Sequence, residues 1–355
     1  MRGRRNDGMR YTIFGESHGP AIGVVLEGVP SCLSLDLDRL QKEMGRRAPG
    51  KNEFSTARKE ADEVKILSGV FEGKTTGAPL AMVIENSDRH SGDYEALRYT
   101  PRPSHGDYAG FVRSRGCLDY RGGGHFSGRL TAPLVAAGAV AKQLLAQRGV
   151  RVGAHISSIY GVNDSAFDDP AELFPLAEKD FPVLDEEKGE EMRRAIREAK
   201  EGRDSVGGSI ECAVTGLPAG LGQPDFGRNV EGIFSQYLFA VPAVKAVAFG
   251  AGVAFAYLKG TEANDPFEAR DGQIATKTNN AGGVNGGITN GMPVVFEVTL
   301  RPTPSISLPQ ESVDLRTGEE VEIEIQGRHD PCIVPRAVPV VEAAAALAAC
   351  EVLGI

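Results

Sequence analysis

The sequence predicts an α+β fold: a single large domain, a β-α-β sandwich with core helices enclosed between antiparallel sheets. Three observations lead there. Residues 130–148 and 336–353 carry Ala, Leu and Val on nearly every face, the pattern of helices buried on all sides. Short strand-like runs flank and separate them. No linker, internal repeat or low-complexity tract divides the 355 residues, so one core is expected.

In chain order, residues 1–10 form an irregular N-terminal extension and 11–355 the domain. Residues 10–14 and 22–29 read as strands around a Gly-rich turn. Ser34 is the expected cap of a helix running to about 47, with Leu37, Leu40 and Met44 on one face. Strands follow at 64–70 and 79–85, joined through the turn-forming Glu72-Gly73-Lys74. Residues 87–126 read as mostly irregular and are dense in Arg, His, Tyr and Gly, the kind of stretch that carries function in compact enzymes. The acidic region 164–204 holds a surface helix at 186–200. Val321, Ile323 and Ile325 alternate with Glu320, Glu322 and Glu324, a half-buried strand.

Composition excludes several classes. The net charge of −9 argues against general nucleic-acid binding. The charge is uneven, however: residues 1–130 carry a net +3 and the remainder −12. Basic side chains beside Gly-rich loops in that first part point to small anionic ligands. Cys32, Cys117, Cys212, Cys332 and Cys350 are far apart, which fits a reduced cytoplasm and offers no metal framework. The basic start Met1-Arg2-Gly3-Arg4-Arg5 has no apolar stretch behind it, so no signal peptide is expected. No run of about 18 apolar residues predicts a membrane span.

Some motifs mislead. Gly15-Glu16-Ser17-His18-Gly19 matches the G-x-S-x-G elbow of serine hydrolases, but a strand is expected after it where that elbow needs a helix. Gly45-Arg46-Arg47-Ala48-Pro49-Gly50-Lys51 stops short of a P-loop, because Asn52 replaces the magnesium-binding hydroxyl. Gly69-Val70-Phe71-Glu72-Gly73-Lys74-Thr75 is one residue short between its glycines. No G-x-G-x-x-G marks a dinucleotide site, and the six histidines lack zinc spacing, so a catalytic metal is not expected.

Three clusters remain. Glu16-Ser17-His18-Gly19 sits in a turn between strands. Arg102-Pro103-Ser104-His105-Gly106-Asp107-Tyr108 and Arg121-Gly122-Gly123-Gly124-His125-Phe126-Ser127-Gly128-Arg129 combine arginines and histidines with three successive glycines. Backbone N–H groups there, with a core helix close behind, suit an anion. Arg328-His329-Asp330-Pro331-Cys332 places an anion clamp, a proton carrier and a carboxylate base side by side, after the small polar loops 279–287 and 301–305. These residues ask for a small, strongly anionic substrate and proton transfer without a metal. A lyase, an isomerase and a transferase acting on a phosphorylated acid all remain open.

The F-G-E-S-H-G turn, R-P-x-H-x-D-Y, Y-R-G-G-G, L-P-A-G-L-G at residues 217–222 and G-R-H-D-P-C together resemble the chorismate synthase family, in the same order, from about residue 11 to 353. The first ten residues fit that family poorly. The resemblance implies conversion of 5-enolpyruvylshikimate 3-phosphate to chorismate with loss of phosphate, using reduced FMN without net redox change. It also implies a homotetramer in the cytoplasm. NADPH would be an indirect reductant, acting through an external flavin reductase. The substrate's two carboxylates and phosphate require an Arg-lined pocket, and reduced flavin supplies transient electron donation that side chains cannot.

By motif, the resemblance makes His18 the proton donor at the flavin, His105 the acid beside the departing phosphate, and Asp330 the residue that helps remove the ring proton. Arg47, Arg102, Ser127, Arg129 and Arg328 would hold the substrate. His125, Phe126, Ser127, Ala243, Gly286, Arg301, Pro302, Thr303, Pro304, Ser305 and Arg328 would line the flavin. The chain departs from many members at His125-Phe126, where those have Arg-Ser, and at Ala48 and Glu53, where those have Arg. Arg301-Pro302-Thr303-Pro304-Ser305 stands for a Lys-Pro-Thr-Ser-Ser run. His125 would then be a weaker, pH-dependent substitute for an arginine. Two rivals predict differently: a flavin-independent phosphate lyase or phosphotransferase, and a non-catalytic binding module with no turnover.

Overall fold

Strand alternation builds two antiparallel sheets. The computed structural model describes residues 8–50, 62–86, 97–223, 227–270, 272–325 and 329–355. The first sheet runs in the order Arg10–Gly15, Ala21–Glu27, Leu80–Glu85, Lys65–Ser68. Ile22, Val24 and Leu26 share its inner face with Leu80, Met82 and Ile84, and all six are withdrawn from water. The second sheet runs Val244–Phe249, Val294–Leu300, Gly208–Thr215, Arg151–Ile159, Val162–Asn163. Val294, Phe296, Val298 and Leu300 point inward, while Glu297 and Thr299 between them are exposed. Burying each such Val, Leu, Ile or Phe contributes roughly 1.5–3 kcal/mol.

Seven α-helices are described: α1 Leu37–Arg47, α2 Asp107–Ser114, α3 Thr131–Ala146, α4 Glu186–Glu201, α5 Val230–Phe239, α6 Gly260–Ala263 and α7 Val334–Leu353. α3 packs on Ala21–Glu27 and Leu80–Glu85 of the first sheet. α7 packs on Arg151–Ile159 and Gly208–Thr215 of the second, and the two helices pack on each other. One hydrophobic cluster therefore runs from sheet to sheet through the helix layer. This is the expected β-α-β sandwich. The helices cross closely because α3 carries Gly138 at the contact: a Cβ there would come within 2.2 Å of Ala343 Cβ on α7.

One charged cluster sits inside this apolar layer. Glu342 of α7 is buried and receives Arg46 of α1 (Nη2 to Oε1, 2.9 Å) and Lys142 of α3. Glu43 joins both cations, at 3.0 Å from Arg46 and 2.9 Å from Lys142. The network ties three helices together immediately behind Arg47. Burial alone would raise the Glu342 pKa, but the charges of Arg46 and Lys142 and their hydrogen bonds lower it to about 2.

Several expectations shift. Asp36, not Ser34, caps α1, its carboxylate accepting the Arg39 N–H at 2.9 Å; Ser34 forms a bridge to Lys74. Within 87–126, residues 87–96 lie outside the described residues, and the rest is less irregular than expected. It holds α2 and a run of tight turns, Arg121–Phe126, broken by positive-φ glycines. α2 escaped the hydrophobic pattern because Gly110 is its single fully buried residue. The first strand begins at Arg10, with Met9 buried before it. The alternating acidic strand appears as Glu320–Ile323, paired with Gln310–Val313.

Because folding lowers the Glu342 pKa, its stabilisation is present above the ordinary value of 4.5 and fades as pH falls toward about 2. Glu342→Ala should lower unfolding free energy at pH 7 by about 3 kcal/mol, since it leaves two partly buried cations with Glu43 as their shared carboxylate. Urea unfolding of the variant should also lose less stability between pH 5 and 3 than wild type. An unchanged midpoint at pH 7 would contradict this role.

Candidate active site

A cavity of about 480 Å³ opens where the helix layer meets the loops, within the size range of ligand pockets. The C-terminal end of α1 contributes Arg47, and the approaches to α3 contribute Phe126, Ser127 and Arg129. The approach to α7 contributes His329 and Asp330, and its first turn Arg336. Arg102, His105, Ala243, Lys245, Arg301, Thr303, Pro304 and Ser305 complete much of the wall. Among the described residues, six Arg and Lys side chains thus face the space against a single lining carboxylate, Asp330.

Four of the six are held by carboxylates. Asp62, fully buried, receives Arg47 Nη1 at 2.7 Å and also pairs with Arg129. Arg47 is further fixed by Thr131 Oγ1 (3.1 Å) and the Gly128 carbonyl (3.1 Å). Burial would raise the Asp62 pKa, but the two arginines override it and hold the carboxylate ionised. Burial lowers the Arg47 pKa to about 10; Asp62 opposes this, and Arg336 and Arg129 add to it. The guanidinium is therefore still charged at neutral pH. Arg336 pairs with Asp330, six residues earlier and ahead of α7, and donates from Nε to the Arg47 carbonyl at 3.1 Å.

The fourth clamp includes a histidine. Asp107 accepts Arg102 through Nε at 2.7 Å and Nη2 at 2.9 Å, and His105 Nδ1 lies 2.6 Å from the same carboxylate. A guanidinium cannot accept a proton, so the 3.1 Å approach of Arg102 Nη2 to Nδ1 is a contact, and Nδ1–H donates to Asp107. Burial works to raise the Asp107 pKa, but these bonds hold it well below the carboxylate range. His105 is thereby oriented with Nε2 as the atom left for proton transfer. Arg102 also reaches Ser305 Oγ at 3.2 Å.

The triple glycine serves a different purpose from the one expected. Gly122, Gly123 and Gly124 all have positive φ (57°, 83° and 53°). A Cβ on Gly122 would lie 2.3 Å from the His18 ring, and one on Gly123 2.8 Å from His105 Cε1. The glycines let two imidazoles press against backbone. The Gly123 N–H bonds the Tyr120 carbonyl, and α3 starts only at Thr131. His18 is buried behind this segment; Ser17 and Gly122, not His18, border the cavity. Asn86 ties the His18 turn to the clamp, donating to the carbonyls of Glu16 (3.1 Å) and Gly19 (3.0 Å) and accepting Arg129 Nε (3.1 Å). The Gly15–Gly19 segment joins antiparallel strands, so it is no hydrolase elbow.

Of the other expected residues, Phe126 lines the cavity with its ring over Gly106 and Gly110 of the α2 start. His125 points elsewhere, Nδ1–H donating to the Gly15 carbonyl at 3.0 Å. Gly286 lies in the hairpin Val284–Asn285/Ile288–Thr289, and Pro302 lies against Gly207; neither borders the cavity. Arg328 and Glu53 lie outside the described residues. Sequence reasoning missed Asp62, Asn86, Lys245 and Arg336, left Asp107 without a role, and read His329 as a proton carrier. Burial, with the charge of Arg102 and against that of Asp330, lowers the His329 pKa to about 4, so this wall residue is neutral.

Comparison with known proteins agrees with the motifs. The sequence profile of the family described as chorismate synthase matches residues 9–353. A chorismate synthase of Thermococcus gammatolerans is 49% identical over 335 residues, 94% of this chain and 93% of that protein. One from Methanocella arvoryzae is 49% identical over 342 residues, 95% and 90% of the two chains. A crystal structure of a chorismate synthase superposes with a TM-score of 0.77 at 30% identity, covering 98% of this chain and 91% of the other.

The His105–Asp107 pair predicts a tautomer. In the neutral ring the proton should reside on Nδ1, read from long-range ¹⁵N–¹H couplings in histidine-labelled protein. Asp107→Ala should remove that preference. An Nε2–H tautomer in wild type would refute the orientation.

Proposed function

The chain belongs to the chorismate synthase family, enzymes that convert 5-enolpyruvylshikimate 3-phosphate to chorismate and phosphate on the shikimate pathway, and we propose that the Arg-lined cavity carries out this elimination with reduced FMN. The observation that carries the reading is the set of six cations that, among the described residues, face one cavity with one lining carboxylate. A substrate with two carboxylates and a phosphate matches that excess, and the pre-fixed guanidiniums need little reordering to meet it.

Arg47, Arg102 and Arg129 hold the substrate's anions, with Ser127 beside them and Arg328 as a further expected contact. Arg336, on the same wall, adds a fourth described cation. His105 Nε2 protonates the departing phosphate. Asp330, beside Arg336, helps to remove the ring proton, and His18 holds a proton behind Gly122 for the flavin side. The chemistry is a carbon–oxygen lyase reaction by 1,4-elimination.

The wall fits a flavin. Thr303 Oγ1 is buried with no hydrogen-bond partner among the described residues, in the loop expected to contact the cofactor. Phe126, Ala243, Arg301, Pro304 and Ser305 offer an aromatic face, small groups and a cation around it. Bound and reduced, FMN supplies transient electron density for the allylic C–O cleavage. Gly286, Pro302 and His125 are more remote from this wall than the family motif implies. NADPH acts through an external reductase in this reading.

A homotetramer in the cytoplasm completes it. The segment around α6 exposes Val253, Tyr257, Phe267 and Ile274, each more than 70% accessible, apolar side chains suited to burial against another subunit. Among the described residues no helix is long and apolar enough to cross a membrane.

Anaerobic incubation with dithionite-reduced FMN and 5-enolpyruvylshikimate 3-phosphate should yield chorismate, followed by absorbance. Folded protein that binds FMN and forms no product would overturn the reading. His105→Ala and His18→Ala should each lower turnover by about 10²–10⁴-fold. Wild-type rates in both would remove the proton-donor roles.

A further inference from the structure

We propose that residues 165–180 form a strap over the outer face of the second sheet, latched by the doubly protonated form of His155 and loosened when that ring loses a proton. Neither flavin nor substrate enters this device.

The strap is a loop closed at its base. It leaves the sheet after Val162–Asn163 and returns at the start of α4. The Asp164 carboxylate accepts the Leu184 N–H at 2.8 Å and the Asp185 N–H at 2.9 Å, while Phe181 and Val183 anchor the return in the core. Between these ends the strap buries two apolar side chains, Leu173 and Leu176, against Ala213 of Gly208–Thr215. Its ion pair to α1, Glu178 with Lys42 at 2.6 Å, joins two side chains that are both more than half exposed, and such pairs add little. A seat this shallow leaves much of the hold to the polar contacts at the base.

His155 supplies the decisive one. Its ring is buried, with Nδ1 2.8 Å from Asp164 and Nε2 3.0 Å from Glu211 on the neighbouring strand. Ionised carboxylates only accept, so both ring nitrogens must carry a proton for both contacts to be hydrogen bonds. Burial works to lower the His155 pKa, but the bonds and charges of Asp164 and Glu211 raise it. Burial works to raise the Asp164 pKa, but the His155 bond and the backbone N–H groups of Leu184, Asp185 and Ser165 lower it. Glu297 adds negative charge on the same face, accepting from Ser157 Oγ at 2.9 Å, and Phe167 of the strap meets the imidazole edge-on at 6.2 Å. The cations of the adjoining elements are engaged elsewhere. Arg151 lies over the Phe174 ring, Arg193 of α4 over Phe181, Lys179 bonds Glu186, and Lys188 bonds Glu191.

The imidazolium is therefore the counter-ion of a buried carboxylate. A neutral ring that keeps its Nδ1–H still leaves the Asp164 charge uncompensated in a dry site, and turns a lone pair toward Glu211. Because folding raises the His155 pKa, the hold is complete below the ordinary value of 6.5 and fades as pH rises through the folded-state value. Loosening reaches beyond the strap itself. Phe174, Ala177 and Glu178 wall a cavity of about 320 Å³ against α1 and α3, which shares no residue with the active-site cavity.

Hydrogen exchange of the intact chain, read by mass spectrometry and corrected for intrinsic rates, compares peptides from 165–180 with those from α3. Protection of the strap should fall by up to about 10-fold per pH unit above 6.5, the slope of one proton, while α3 stays level. His155→Gln, which keeps a donor and loses the charge, should show the loosened level at pH 6 and no slope. An NMR titration of the wild-type imidazole reads the same proton and should place its pKa above 6.5. A flat wild-type exchange profile, a parallel loss across α3, or a His155 ring already neutral at pH 6 would each overturn the proposal.

Discussion

The close crossing of α3 and α7 is the contact on which the site depends. Gly138 allows Ala343 to lie against the backbone of α3, so each helix can face one sheet while touching the other. The two helix starts then supply adjoining pieces of one cavity wall. Arg129 lies two residues before α3, and Asp330 four residues before α7, with Arg336 in the first turn of α7. The buried Glu342 cluster adds α1, which ends at Arg47, to the same fixed unit. Helix packing thereby sets the distances between side chains nearly three hundred residues apart in the chain.

A cavity that gathers arginines must keep them apart before any ligand arrives. Like-charged guanidiniums in a dry space repel, and each one left without a partner is costly. The fold answers with carboxylates held mostly behind the wall: Asp62 for two arginines and Asp107 for a third. Asp107 additionally fixes His105, so an anion contact and a proton donor are aimed by one group. Asn86 extends the coupling to the His18 turn through main-chain carbonyls. Anion recognition and proton placement are in this way a single hydrogen-bonded framework.

Much of this was legible in the sequence, for identifiable reasons. The two core helices and the strand pairs announce themselves through apolar residues on every face or on alternate positions. Arg47, Arg102, His105, Arg129 and Asp330 came from motifs, and the structure brings all five to one cavity. Asp62 gave no signal, because a lone carboxylate looks like any surface acid until tertiary packing buries it. Lys245 was hidden by a bulge, which alternation cannot foresee. The triple glycine was read as an anion cradle, while its positive φ angles and the imidazoles against it supply the stronger requirement. Gly286 and His125 show the limit of motif transfer: each sits where its own local bonds place it, off the cavity wall.

The most direct test of the central claim, that one cavity holds both substrate and flavin, is a crystal structure with oxidised FMN and 5-enolpyruvylshikimate 3-phosphate bound. The substrate's anions should lie on Arg47, Arg102, Arg129 and Arg336, with His105 Nε2 at the phosphate side. The flavin should lie along Phe126, Ala243 and the 301–305 loop. Density for either ligand outside this cavity, with the arginine wall left to solvent, would contradict it.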